Sequence, residues 1–335
     1  MENLIKEIFI YFTIKKGFKP NKKQIINELS KILLNNRNNI FNLKNTNFNL
    51  DHLDFLFIVK NGENYFKYFF DKIYLNLKNK NTNLDFYIYE NNSIDNTKKI
   101  LKKYKNLYIK SENTIEKKLN YYNEISYINS LKKKRYNNIV NARNNLKLYY
   151  NQKILQSQNL KTNWLILMDI DILFDYKTIE ELKKAVYSHP EGVMFCANTS
   201  YIQTNIRESY YDILALNNGE YFDEQKTHNI NGIQELFDKN KDIFEIKSGF
   251  GGMALIRKDI YLENKWINNI PIEPRKNSAF KQNHLCEHWD FCQKVRKHGN
   301  IYIVKKAKAL WINDYNDIDF NKKCKTFTDY LNIFG

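Results

Sequence analysis

Short apolar runs alternate with amphipathic segments after an N-terminal stretch of different character. Apolar runs at 54–60, 85–90 and 106–110 predict three strands, and the segments 64–79 and 95–104 between them carry apolar positions at helical spacing. Strands that alternate with helices in this way form parallel sheets, because two parallel strands need a crossover connection between them. The pattern therefore predicts a doubly wound α/β sheet.

The alternation continues along the rest of the chain. A polar, lysine-rich stretch predicts a loop with helical turns, and the segment after it predicts a long helix. A strand that ends on aspartates comes next, and further helices and strands follow. The predicted bounds are a loop at 111–134, helices at 135–155, 178–188 and 289–299, a turn and strand at 247–261, and strands at 192–200 and 300–307.

The most informative stretch is an apolar run that ends in two aspartates separated by one residue, NWLILMDIDILFD. Leu165 to Met168 predict a strand that is buried on both faces, as in the interior of a parallel sheet. Because an unpaired carboxylate is costly to bury, Asp169 and Asp171 are expected where the strand leaves the sheet. Being two residues apart on an extended chain, they project from the same face. They predict a site for Mg²⁺ or Mn²⁺ that completes its shell with water and substrate phosphates.

Residues 1–50 have apolar positions at helical spacing and predict a helical extension ahead of a main domain at 51–335. Such an extension can pack on the main domain, hold a partner subunit in an oligomer, or make peripheral contact with a membrane surface. No apolar run reaches the length of about 18 residues that a transmembrane helix needs. The run IFIYFTI near the start lacks the features of a signal peptide. A cytoplasmic location is therefore expected.

The composition is basic, with 53 Lys and Arg against 37 Asp and Glu, a net charge of +16. A basic chain can bind nucleic acid, an anionic membrane or a phosphorylated substrate. Here lysine is scattered along the whole chain, and Asn, Ile, Tyr and Phe are also abundant, as in proteins from A/T-rich genomes such as those of some protists and large DNA viruses. No nucleic-acid partner is predicted. The 4 cysteines are unevenly spaced, which favours free thiols.

Three clusters of candidate site residues, the aspartate pair among them, lie at the expected carboxyl ends of strands, where open α/β sheets bind their ligands, and a glycine pair lies at the start of a later strand. In the turn after the second strand, an acidic residue suits a ribose hydroxyl or a base edge, although these side chains can equally cap the next helix. An arginine on the long helix can neutralise phosphate, or be ion-paired. Two glycines before a later strand allow close backbone approach to a ligand, or form a tight turn. These residues are Glu90, Ser93 and Asp95 in the turn, Arg143 on the helix, and Gly251 and Gly252 before the strand.

In combination, these features resemble the nucleotide-sugar-dependent glycosyltransferases of the GT-A fold. The first strand, the ENNSIDNT turn, the apolar strand that closes on DID and an acidic helix start near the C-terminus carry the resemblance, which covers Asp54 to Ala307. It implies a GT-A type (Rossmann-like) mixed sheet, mainly parallel and flanked by helices. It also implies that Mn²⁺ or Mg²⁺ on the aspartate pair holds a sugar diphosphate. The nucleoside would lie at the turn, against Glu90, Ser93 and Asp95.

Two further segments extend this resemblance. KKRYNNIVNARNNLK is similar to a segment of the fungal capsule-associated mannosyltransferases, which implies that Arg143 lies near the donor. CEHWDFCQKVRKHG resembles the Glu-Asp helix start of family-2-type glycosyltransferases, in which the Asp after the Glu is the general base. That position is His288 here, and histidine can act as a base or as a metal ligand. Glu287, which is favoured, and Asp290 are the carboxylate alternatives, and all three residues can also simply cap the helix.

The sequence thus predicts a metal-dependent glycosyltransferase, with a hexose as the expected sugar. It would move the sugar from a nucleotide-diphosphate sugar to a hydroxyl of a glycan, protein or lipid-linked acceptor. Retention and inversion of the anomeric configuration both stay open. Two alternatives stay open as well: a Mg²⁺-dependent nucleotidyltransferase, which also uses acidic pairs, and a non-catalytic basic binding or scaffold protein.

Overall fold

A computed structural model describes the main part of the chain. The predicted helical extension lies outside the described residues except for Leu50, as do Cys286 and Cys324, and the division into two domains stays a prediction. The described residues are 50, 52–68, 73–74, 77, 83–104, 107–113, 124–157, 162–202, 208–210, 215–216, 237–267 and 287–311.

These residues form strands and helices in alternation. The strands are β1 (His52–Val59), β2 (Asn83–Asn91), β3 (Leu107–Glu112), β4 (Trp164–Met168), β5 (Ile172–Phe174), β6 (Gly192–Ile202), β7 (Glu208–Tyr210), β8 (Ile243–Ile246), β9 (Met253–Arg257) and β10 (Asn300–Trp311). The helices are α1 (Glu63–Tyr68), α2 (Thr97–Leu101), α3 (Glu124–Ser157), α4 (Tyr176–Ser188), α5 (Lys258–Glu263) and α6 (Glu287–Val295).

The described strands join into one mixed sheet in the order β3-β2-β1-β4-β9-β6-β10-β5, with β7 paired to β6 and β8 paired to β10. Strands β3, β2, β1 and β4 are parallel neighbours, and β6 and β10 are also parallel to each other. Strand β9 lies antiparallel between β4 and β6, so that six strands run in one direction. The predicted mixed, mainly parallel sheet is confirmed.

Helices cover both faces of this sheet, as predicted. Successive residues of a strand point to opposite faces, and in β4 all five residues are buried. On one face Ile166 packs in a core that includes Leu182 of α4. On the other face Leu165 packs in a core that includes Leu146 of α3 and Phe291 of α6. Burial on both sides explains why this strand is apolar without interruption.

The structure differs from the predicted elements in several places. Helix α3 begins at Glu124, so the predicted loop is wrong over 124–134. Residues 258–261 were predicted as strand but begin α5, and the amide of Lys258 makes the last bond in register with β4, to the carbonyl of Asn163. Strand β10 continues to Trp311, beyond the predicted end at residue 307, and has a register shift between Val304 and Lys308. No described helix is both long and apolar enough to cross a membrane.

Candidate active site

The aspartate pair lies in the short turn between β4 and β5, at the carboxyl end of the buried strand. The amide of Asp169 donates to the carbonyl of Gly252 at 2.8 Å, and the amide of Ile172 donates back to the carbonyl of Asp169 at 3.4 Å. Both aspartates are half-buried, whereas the four residues before them are fully buried. The carboxylates therefore lie where the sequence predicted them, at the point where the strand leaves the sheet.

Two glycines form the turn that faces Asp169. Gly251 and Gly252 have φ angles of 63° and 68°, in the left-handed region that favours glycine. A Cβ atom on Gly251 would lie 2.6 Å from the carbonyl oxygen of Ala197, so no larger residue fits there. The two glycines thus form a tight turn that brings this backbone close to strand β6 and to the aspartate turn. The alternative, a close approach to a ligand, stays a prediction.

Arg143 bridges the aspartate turn and the start of α6. Its guanidinium donates to Oδ1 of Asp169 at 3.1 Å, and its Nε lies 3.6 Å from Oε1 of Glu287. The rings of Phe250 and Trp266 lie 5.1 and 5.0 Å from the guanidinium carbon, which is cation–π distance. Burial alone would lower the pKa of Arg143, but the two carboxylates reverse this effect and raise it. Three segments that are far apart in sequence therefore meet at one buried cation.

Glu287 and His288 open α6 beside this arginine. His288 is 5% exposed, stacks on Phe250 with ring centroids 4.3 Å apart, and meets Trp266 edge to face at 5.3 Å. Its Nε2 lies 3.4 Å from Oε1 of Glu287. Burial lowers the pKa of His288 to about 3, so the ring is neutral. Burial also opposes ionisation of Glu287, but the neighbouring His288 and Arg143 keep the pKa of Glu287 below its ordinary value.

The Nδ1 atom of His288 is buried and has no hydrogen-bond partner among the described residues. A neutral imidazole that donates from Nε2 to Glu287 leaves Nδ1 as an acceptor. A buried polar atom without a partner is costly and needs an explanation. Nε2 of His288 and Nε of Arg143 both lie close to the same oxygen of Glu287, Oε1.

Asp171 has a partner that the sequence did not indicate. The indole Nε1–H of Trp311, the last residue of β10, donates to Oδ2 of Asp171 at 2.8 Å. Burial raises the pKa of the Asp171 carboxyl, against the effects of this bond and of the more distant Arg135 and Arg143. Its negative charge is therefore only partly compensated by the protein.

The chemistry of the pair fits a hard divalent cation. Mg²⁺ and Mn²⁺ accept one or two protein carboxylates and take their remaining ligands from water and phosphate oxygens. Asp169 and Asp171 supply two carboxylates from one turn, and the incomplete charge compensation at Asp171 favours an added cation. Glu287 is held away from this role by its contacts with Arg143 and His288.

The turn after β2 is tied to the turn after β1. Glu90 is fully buried, and its carboxylate accepts from the amide of Ser93 at 2.8 Å and from the hydroxyl of Ser111. The hydroxyl of Ser93 accepts from the amide of Asn61 at 2.9 Å, and Asp95 accepts from the amides of Thr97 and Glu63 at 3.0 and 3.1 Å. Each of the three predicted nucleoside contacts thus also shapes this edge of the sheet.

Asp290 lies apart from the Arg143 cluster in its described contacts. Its carboxylate pairs with Lys294 one turn along α6, at 2.5 Å, and Lys294 also donates to the carbonyl of Lys265 at 3.1 Å. This arrangement is typical of an i,i+4 ion pair on a helix. Of the three acidic and histidine candidates at this helix start, Glu287 and His288 join the cluster.

Three aromatic residues of the site were missed by the sequence analysis. Phe250 and Trp266 both contact the arginine and the histidine, and Trp311 donates a hydrogen bond to Asp171. Because Tyr, Phe and Trp make up 15% of the chain, no single aromatic residue gave a usable signal. Phe250 lies inside the glycine-rich SGFGGMAL segment, and this position was the one available indication.

Comparison with known proteins gives similar structures but no similar sequences. No protein-family model matches the chain, and no curated protein sequence matches it. Solved structures similar to this one include S. aureus TarS 1-349, alone and in complex with UDP, at 11% identity with TM-scores of 0.40 and 0.41. Another is the mannosyltransferase PcManGT from Pyrobaculum calidifontis in complex with GDP-Man and Mn²⁺, at 10% identity with a TM-score of 0.41.

The structural similarity covers only part of this chain and only part of each solved chain. They cover 77 to 78% of this chain and 60% of the TarS chain, and 85% of this chain and 65% of the PcManGT chain. The chain thus spans less than two thirds of the length of these solved chains. Identity and structural similarity at this level show no function, and the residues of the site are the remaining observations that bear on it.

Proposed function

We propose that the protein is a metal-dependent glycosyltransferase. It transfers a sugar, with a hexose as the expected one, from a nucleotide-diphosphate sugar to a hydroxyl acceptor. The donor binds along the carboxyl edge of β1, β2 and β4, with the nucleoside at the Glu90 turn and the diphosphate at Asp169 and Asp171. Mn²⁺ or Mg²⁺ is the expected cofactor.

One observation carries this proposal: Arg143 contacts both the aspartate turn and Glu287, with Nη2 3.1 Å from Asp169 and Nε 3.6 Å from Glu287. A carboxylate that can bind a metal, a cation that can bind phosphate and a candidate base are three groups that a metal-dependent, inverting glycosyl transfer uses. They are contributed here by three distant segments of the chain. Their convergence at one carboxyl edge, where α/β sheets bind ligands, supports an active site over three unrelated structural contacts.

The donor side of the reaction builds negative charge on the leaving diphosphate. A divalent cation on the aspartate pair would supply Lewis-acid stabilisation of that charge. Arg143 contributes a second, fixed positive charge in a water-poor setting, where such a charge acts strongly and needs no reorganisation. Trp311 holds Asp171 in one orientation for this purpose.

On the acceptor side, Glu287 is the proposed base. Its carboxylate is ionised at neutral pH because Arg143 favours the charged form. His288, neutral and buried between aromatic rings, acts as a positioning residue that fixes Glu287 through Nε2. If the acceptor proton goes to Glu287 in a single displacement, the anomeric configuration inverts, and product stereochemistry tests this assignment.

The direct test is release of nucleoside diphosphate from a panel of sugar nucleotides, with Mn²⁺, Mg²⁺ or chelator. We expect Mn²⁺-dependent release for at least one donor in the wild type and a loss of at least about 100-fold in Asp171→Asn, since a metal ligand is removed. Asp242→Asn is the matched control, because Asp242 is exposed and pairs with Lys306. Equal release by the wild type and Asp171→Asn would overturn the proposal.

A nucleotidyltransferase, which uses the same kind of acidic pair, is the alternative enzyme function that the sequence leaves open. It would release pyrophosphate from a nucleoside triphosphate, whereas the proposed reaction releases a nucleoside diphosphate. The residues before Asp169 are Trp-Leu-Ile-Leu-Met, without the Gly-Ser turn that a nucleotidyltransferase is expected to have there. Measuring both products in one reaction separates the two functions.

A further inference from the structure

A second cluster of metal-ligating side chains lies at the amino-terminal end of the parallel strands. His52 and Asp54 are on β1, and Asp85 is the direct neighbour of Asp54 on β2. His52 and Asp54 are two residues apart, so they share a face of the sheet, and the parallel register brings Asp85 to the same face. One ligand atom from each residue lies within 4.8 Å of the other two.

This cluster is separate from the aspartate turn. Asp54 pairs with Leu165 at the start of β4, and Asp169 lies four residues further along, which is about 13 Å at the rise of a strand. The two groups therefore lie at opposite ends of the same strands. Nothing in the proposed transfer reaction uses His52, Asp54 or Asp85.

The distances within the cluster match those of a small metal site. His52 Nε2 lies 3.2 Å from Oδ1 of Asp54 and 3.1 Å from Oδ2 of Asp85. In a tetrahedral zinc site with bonds of about 2.0 Å, neighbouring ligand atoms are about 3.3 Å apart. The side chains thus need little movement to hold a metal ion between them.

Two carboxylate oxygens share one imidazole nitrogen in this cluster. Nε2 of His52 can carry one hydrogen, and two carboxylate oxygens face it at nearly equal distances. A single N–H divided between two carboxylates satisfies both poorly. A divalent ion in its place would bond to all three residues and would balance the two negative charges, with the imidazole neutral.

The residues around the cluster hold its side chains in fixed orientations, as is typical of metal ligands. The hydroxyl of Tyr150 donates to Oδ2 of Asp54, the oxygen that does not face His52, and so orients this carboxylate from behind. The side chains of His52 and Asp54 are 11% and 6% exposed, whereas that of Asp85 is 22% exposed. Asp85 therefore gives an open side through which an ion and a water ligand can enter.

We propose that His52, Asp54 and Asp85 form a site for a divalent transition metal of the zinc type. One imidazole nitrogen and two carboxylate oxygens suit Zn²⁺ better than Mg²⁺ or Ca²⁺, which take oxygen ligands. A water molecule fills the fourth position. The ion ties β1 to β2 at the end of the sheet away from the active site, and its role is to stabilise the fold.

The experiment uses the full chain in an Asp169→Asn/Asp171→Asn background, so that the aspartate turn binds no metal. Protein stripped with a chelator is dialysed against Zn²⁺, and metal per chain is measured by mass spectrometry. We expect one zinc ion per chain above the level of the His52→Gln variant, with at least about tenfold weaker binding in Asp85→Asn. His298→Gln, which alters a half-buried histidine that pairs with Glu263, is the matched control and should bind like the background protein.

Two further readouts separate loss of the site from loss of the fold. Zn²⁺ should raise the unfolding temperature of the background protein and of His298→Gln but not of His52→Gln. Co²⁺ in place of Zn²⁺ should give visible absorption bands of a four-coordinate nitrogen and oxygen site, absent in His52→Gln. Equal zinc content in the background protein and His52→Gln would overturn the proposal. Because the aspartate turn is already disabled, this outcome is independent of whether the transferase proposal holds.

Discussion

The indole Nε1–H of Trp311 donates a 2.8 Å hydrogen bond to Oδ2 of Asp171, and this bond joins the end of β10 to the aspartate turn. It leaves Asp171 in a fixed orientation without adding positive charge. Partners behind a metal ligand typically set its direction and affinity. Trp311 is therefore a positioning residue of the proposed metal site.

Trp311→Phe should weaken the proposed metal site while keeping most of the aromatic packing. Without the N–H donor, the Mn²⁺ concentration for half-maximal activity should rise by about 10- to 100-fold, as is usual for partners behind a metal ligand. The rate at saturating Mn²⁺ should change much less. The measurement is a Mn²⁺ titration of nucleoside diphosphate release, and an unchanged half-saturation would contradict the assigned role.

Arg143→Lys should cost activity although it keeps the charge. A lysine cannot contact Asp169 and Glu287 together through a planar group, and it fits poorly between the rings of Phe250 and Trp266. We expect kcat/KM to fall by about 100-fold, the range for loss of one fixed donor in an active site. Arg135→Lys is the matched control, because it makes the same change on an exposed position two turns earlier in α3. An unchanged kcat/KM in Arg143→Lys would show that the charge alone is needed, and equal losses in both variants would show that the effect is not specific to Arg143.

Lys147 should make stability depend on pH. Burial lowers the pKa of Lys147 to about 7, and Lys265 and Lys294 act in the same direction. Its ordinary value is 10.5, so between about pH 7 and 10 the unfolded chain binds more protons than the folded chain at this group. The Lys147 contribution therefore makes the folded state more stable as pH rises through this window.

The check is the free energy of unfolding of wild type and Lys147→Met at several pH values. The variant lacks the titrating group, so the stability of the wild type relative to it should increase by up to about 1.4 kcal/mol per pH unit above pH 7. Lys184→Met, at an exposed lysine on α4, should show no such trend relative to the wild type. A pH-independent difference between wild type and Lys147→Met would contradict the shifted pKa.

Asp95→Ala should destabilise the turn after β2. Its carboxylate accepts from the amides of Thr97 and Glu63, one at the start of α2 and the other at the start of α1. Loss of such a cap typically costs about 1 kcal/mol, or about 2–4 °C in unfolding temperature for a domain of this size. Ile94→Ala, at a neighbouring side chain that is 92% exposed, should leave the unfolding temperature unchanged. Equal unfolding temperatures for Asp95→Ala and the wild type would exclude the capping role.

Much of this fold could be predicted because its strands are buried on both faces. The uninterrupted apolar run of β4 and the alternation that follows β1 require a parallel sheet covered by helices, and Asp169 could only lie where β4 ends. Helix α5 was missed because Asp259, Ile260 and Tyr261 are all buried, and a short apolar stretch has no distinguishing period. The continuation of β10 was missed because a register shift between Val304 and Lys308 interrupts the alternation of its side chains.

The sequence could supply candidate residues for the site but not their geometry. Arg143, Asp169 and Glu287 were each chosen from local sequence, and the sequence gives no measure of which pairs touch. The neutral state of His288 depends on Phe250 and Trp266, which come from two other segments. Contacts of this kind arise from tertiary packing, and local patterns do not encode them.

The central claim is that Asp169 and Asp171 bind a sugar nucleotide through a divalent metal. The most direct measurement is the unfolding temperature of the wild type and of Asp171→Asn with a panel of sugar nucleotides, each with and without Mn²⁺. We predict that at least one sugar nucleotide raises the unfolding temperature of the wild type only when Mn²⁺ is present, and that Asp171→Asn abolishes this increase. If no sugar nucleotide gives a Mn²⁺-dependent increase, or if Asp171→Asn retains it, the claim is wrong.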